Sequence, residues 1–94
     1  MNAIVSIGNS DNKLTQQEWS EFVRAVDASL GKFKKYFRGF SGGDDPWQNA
    51  CWWICCSEEG RGFLLRRLAQ DARKFQQESI AVVFGETIFI EAKK

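Results

Sequence analysis

The chain has 94 residues, 13 Lys and Arg against 12 Asp and Glu, and a formal net charge of +1. That length supports one domain over residues 1–94 with a single core, since a chain of this size hides roughly 60–65% of its extended surface on folding. So small a charge gives no field to gather nucleic acid or an anionic membrane, and no apolar run reaches the ~18 residues that a membrane span needs.

In chain order, "AIVSI" (3–7) is short and β-branched and is followed by the polar run Gly8, Asn9, Ser10, Asp11, Asn12. It reads as a strand entering a loop. The start, "MNAIVSIGNSDNKL", has no basic stretch leading a long apolar one, so no signal peptide is expected and a cytosol is the expected setting. Thr15 and Glu18 have capping-box spacing, with Leu14 and Trp19 at the positions of a hydrophobic staple. Trp19, Phe22, Val23, Val26, Leu30 and Phe33 then recur at helical spacing. The first helix is therefore predicted over 15–31, with Gly31 as terminator.

"KKYFRGFS" (34–41) reads as a second strand, and 42–46, with two glycines, two acids and the single proline, as a turn. "NACWWICCS" (49–57) is apolar on both faces and so is predicted to be a central strand. Residues 58–62 read as a break. A second helix is predicted over 62–77, with Leu64, Leu65, Leu68, Ala72 and Phe75 inward and Arg66, Arg67, Arg73 and Lys74 outward. "SIAVVF" (79–84) and "TIFIEA" (87–92) read as two further strands joined by a Gly85-Glu86 turn.

The expected fold is α+β: a ferredoxin-like βαββαβ sandwich with an additional C-terminal strand. Its antiparallel sheet would run 5-4-1-3-2, with both helices on one face. Strand direction then brings the loop after strand 1, the hairpin between strands 2 and 3 and the entry to strand 4 to one end. Asn9, Ser10, Asp11, Asn12, Lys13, Asp44, Asp45, Trp47, Gln48 and Asn49 converge there as candidate binding residues. Asn, Asp and Gly are equally what turns require, so this end is either a recognition surface or turn chemistry.

Trp52 and Trp53 must point to opposite sides of their strand. One belongs under the helices and the other on the uncovered face, where it could stack a base, meet a second subunit or lie shielded under long Lys or Arg stems of the same face; a homodimer is expected from the second of these. Cys51, Cys55 and Cys56 have no histidine neighbour, because the chain has none, and they do not converge on one face. Buried free thiols are expected, with no metal site and no cofactor. The absence of histidine also removes the commonest general base, and neither a Walker nor a dinucleotide glycine loop is present, so no enzymatic activity is expected.

"IGNSDNKLTQQEW" (7–19) and "PWQNACW" (46–52) resemble segments of small uncharacterised proteins carried by bacteriophages and their bacterial hosts. This resemblance implies a compact phage-derived inhibitor of host immunity, of anti-CRISPR or other anti-defence type, acting by binding a host protein. A sponge for a nucleotide messenger, with Trp47 against the base, is the second reading. A single-stranded nucleic-acid binder using the open sheet is the third, and it lacks the aromatic motif of RNA-recognition strands.

Overall fold

The computed structural model describes residues 1–9, 13–41 and 48–92. Its elements are β1 (Asn2–Gly8), α1 (Gln16–Ser29), β2 (Lys35–Phe40), β3 (Asn49–Cys55), α2 (Glu58–Lys74) and β4 (Ala81–Gly85). The four strands form one sheet in the order β2-β3-β1-β4, and every neighbouring pair is antiparallel. The architecture is α+β, with both helices packed on one face. The Trp-rich strand is central, as its apolar character on both sides demands.

Alternation along the strands divides the two faces. Ala3, Val5 and Ile7 of β1 and Ala50, Trp52 and Ile54 of β3 point under the helices and are buried. They meet Trp19, Phe22, Val26 and Leu30 of the first helical segment and Leu64 and Leu68 of α2 in one core. The short principal extent, 19 Å, is the thickness of two layers rather than three.

Helix α1 begins as its sequence dictates. Thr15 Oγ1 accepts from Glu18 N at 3.1 Å, and Glu18 Oε1 accepts from Thr15 N at 2.9 Å. That backbone hydrogen bond, then the hydroxyl, hold the Glu18 carboxylate below its ordinary pKa. Leu14 and Trp19, the staple positions, are both buried. The helix ends at Ser29 with Leu30 as C-cap, and Gly31 follows directly at the position of a terminating glycine.

Three expectations are corrected. Residues 58–62 open α2 instead of breaking the chain: Ser57 Oγ accepts from Gly60 N at 3.1 Å, and Glu58 and Glu59 lie where the helix dipole favours acids. Gly60 has a packing reason, since a Cβ there would lie 3.1 Å from the Phe33 ring. Leu65, read as inward, is exposed. Residues 87–92 form no fifth strand, so β4 is a sheet edge and the sheet has four strands rather than five. Thr87 Oγ1 instead accepts from Asn2 Nδ2 on β1. This contact holds Thr87 beside β1.

Candidate functional site

Two surfaces are candidates: the polar end and the sheet face that the helices leave uncovered. At the polar end, Asn9 N donates to Gln48 O at 2.8 Å, which ties the end of β1 to the start of β3. The Asn9 side chain is buried and turned inward. Its Oδ1 accepts from Leu14 N, and its Nδ2 donates to Leu14 O, each at 3.0 Å, with Gln48 Oε1 a further acceptor at 3.2 Å. Gln48 also exchanges hydrogen bonds with Gln16 at the start of α1, at 2.9 and 3.2 Å. Asn49 N donates to Ser41 Oγ at 2.9 Å.

The structure therefore brings Asn9, Gln48 and Asn49 together at one end with Gln16 and Ser41. Lys13 is exposed beside them. Ser10, Asp11, Asn12, Asp44, Asp45 and Trp47 lie outside the described residues. Asn9 spends its polar atoms on the loop itself, and Gln48 joins strand to helix. Gln16 and Ser41 are participants that the sequence reading missed, and only the fold reveals them, because their partners are distant in the chain.

The uncovered face is built by register. Val83, Ile4, Trp53 and Phe37 lie opposite one another across all four strands and make one continuous apolar row. On one side of it runs a row of small residues: Ala81, Ser6, Cys51 and Gly39. On the other side are Gly85, Asn2 and Cys55, with Tyr36 at the bulge of β2, its ring 5.3 Å from that of Trp53. None of these positions carries a formal charge. At the margin the Lys34 ammonium stands 5.4 Å from the Tyr36 ring. The Phe37 ring lies across Gly39, where a Cβ would fall 2.7 Å from it.

The charged residues of β2 point the other way. Lys35 Nζ and Arg38 Nη1 lie 3.2 and 3.6 Å from Asp27 Oδ1 on α1, and the same oxygen accepts from Trp52 Nε1 at 3.0 Å. Burial raises the Asp27 pKa, but the bonds from Lys35 and Trp52 and the two positive charges outweigh it, and the net shift is downward.

Cys51 and Cys55 are half-buried on the open face, Cys56 is buried beneath α2, and all three are free. Burial pushes the Cys56 thiol up, and the Cys55 contact pushes the Tyr36 phenol up. Among the described residues no cluster of three His, Cys, Asp or Glu is placed to hold a metal ion, and no helix is long and apolar enough to cross a membrane.

A surface groove of about 640 Å³ runs between α1 and the end of α2, lined in part by Glu18, Glu21, Arg24 and Lys74. With Lys13 the lining mixes three cations with two carboxylates and has no single sign of charge. Another groove, about 460 Å³, separates α2 from β4 and includes Leu65, Leu68 and Ile80. A scan of family models, a search of curated proteins and a search of solved structures each found no match to this chain.

Proposed function

We propose that this chain is a non-catalytic protein-binding module and that its open sheet face is the interface. The observation that carries this reading is the row Val83, Ile4, Trp53 and Phe37, which crosses the whole sheet with no charged neighbour among the facing positions. Ile4, Phe37 and Val83 are 45%, 57% and 63% exposed. An apolar surface of this continuity gains most from burial against another apolar surface. A strand-borne aromatic flanked by Tyr36 could also stack a base, but nucleic-acid platforms pair stacking with cations along the backbone path. Here Lys35 and Arg38 are turned toward Asp27, which favours the protein reading.

The element order and the β2-β3-β1-β4 sheet support a ferredoxin-like plan for the fold. The biological setting we propose is the one that the two phage-like segments imply: a small inhibitor that, once assembled through this face, acts by occupying the surface of a host defence protein. The binding is non-covalent and uses no cofactor.

The test compares the wild-type chain with Trp53→Asp in bacteria that carry a phage-defence system. Wild type should raise phage plating at least about tenfold and retain specific host proteins on an affinity resin, whereas Trp53→Asp should lose both, with host-protein binding weakened at least about tenfold, roughly 1.4 kcal/mol. Circular dichroism must show the variant folded. Equal plating and equal capture with the two proteins would contradict the reading.

A further inference from the structure

We infer that the occupant of the open face is a second copy of this chain, and that the segment 87–92 of each copy crosses onto the other. This rests on reading that face as a protein interface, and it is carried by a separate feature. Ile88, Phe89 and Ile90 are 84%, 85% and 94% exposed. Three consecutive large apolar side chains left in water need a cover.

The chain's own body does not supply that cover. The Asn2–Thr87 contact anchors the root of the segment on β1, and Asn2 is itself on the open face. The segment thus begins at the rim of the apolar surface.

Size points to the same occupant. Four strands about 4.8 Å apart, five to seven residues long at about 3.3 Å per residue, give a face of roughly 400 Å². A stable interface takes about 800 Å² from each partner. The face alone is about half of this. One buried phenylalanine adds roughly 150–250 Å², and Ile88 and Ile90 of the same segment add to it. Face and segment together reach the required size, which neither does alone.

Symmetry then selects the arrangement. The register places Asn2, Gly85 and Cys55 at one end of the sheet, with the start of β2 beside them. A two-fold axis along the strands sets β4 of one copy over β2 of the other and keeps these ends together. The segment leaving one copy near β1 and β4 then arrives at Tyr36, Trp53 and Cys55 of the second, the most aromatic corner of the face. An axis across the strands would bring it to Ser6 and Ala81 instead, which offer little to bury it. A net charge of +1 sets no barrier to self-association. In the favoured pair the two polar ends lie side by side and uncovered, free for a host protein.

Sedimentation equilibrium on the full chain tests this, with Phe89→Asp and Trp53→Asp beside it. Phe89 is exposed in the single copy, so its replacement leaves the fold intact, and circular dichroism checks this for both variants. Wild type should sediment as a dimer at about 10 μM, and each variant should weaken the dimer at least ~30-fold, roughly 2 kcal/mol. A wild-type monomer at about 100 μM, or a Phe89→Asp dimer as tight as wild type, overturns the inference. A monomer whose Trp53→Asp variant still loses host-protein capture would sink the dimer and leave the face reading standing. Loss of neither property in Trp53→Asp would sink both.

Discussion

Trp52 is fully buried yet carries a ring N–H, and Asp27 at the margin of the core accepts it. The magnitudes decide what Asp27 is for. Its ion pairs with Lys35 and Arg38 join side chains that are one-third to one-half exposed, and such pairs contribute about 0–1 kcal/mol. A hydrogen bond from a buried donor to a charged acceptor is worth about 1.5–3 kcal/mol. Asp27→Ala should therefore cost about 2 kcal/mol, a fall in Tm of roughly 8–16 °C. Asp27→Asn, which keeps an acceptor, should cost less. The folded carboxylate binds its proton less readily than the ordinary 3.8, so on acidification the unfolded chain takes up that proton first. Its stabilisation is complete above that ordinary value and is lost as pH falls through the lower folded one. Thermal melts from pH 7 to pH 2 should show the gap between wild type and Asp27→Asn closing below about pH 4.

Asn9 makes the matching case at the polar end. Asn9→Ala would strip partners from both the N–H and the C=O of buried Leu14, at about 1–3 kcal/mol for each unsatisfied group. A drop in Tm of roughly 10–20 °C is expected. A melting point within about 2 °C of wild type would show that the loop does not depend on this side chain.

Among the elements, α1 was the most legible, because Leu14, Thr15, Glu18 and Trp19 encode its start within six residues. The central place of β3 was legible for a related reason: Ala50, Trp52 and Ile54 on one side and Cys51, Trp53 and Cys55 on the other leave no polar face. The start of α2 was masked by Gly60 and Gly62, whose low helix propensity hides a serine cap and two first-turn acids. Gly60 is there because Phe33 approaches it. The end of α2 was hidden in the same way. Gln76 occupies a left-handed conformation, φ 55°, just past the C-cap Phe75. Gln76 N donates to Arg73 O at 3.1 Å and Gln77 N to Ala72 O at 2.8 Å, the double bond of a Schellman end. Glycine is the usual residue at that position, and its absence left the stop unmarked. Gln76→Gly should stabilise the protein by about 0.5–1 kcal/mol in urea unfolding, since relief of left-handed strain exceeds the added freedom of the unfolded chain. A loss of stability would contradict this account of the helix end.

At the scale of the whole molecule, the order of elements was readable from periodicity, and the open face follows from two helices covering one side. The apolar row across that face was only partly readable. Trp53 could be placed there from its neighbour Trp52, but its alignment with Phe37, Ile4 and Val83 depends on register and on the bulge between Lys35 and Phe37. The C-terminal segment was misread because its pattern is that of a strand, and pattern says nothing of which chain supplies the pairing edge. On our account both observations have one cause: the apolar row and the exposed Ile88–Phe89–Ile90 run are two halves of an interface between copies.

Hydrogen exchange on the full chain at about 1 and about 300 μM, read on peptides covering 35–40 and 87–92, tests that claim most directly. Burial by a second copy requires both peptides to exchange at least about tenfold more slowly at the higher concentration, while peptides from α1 stay unchanged. Rates for 87–92 that are equal at both concentrations and match an unstructured chain would contradict it, and would leave the segment uncovered by any copy of this protein.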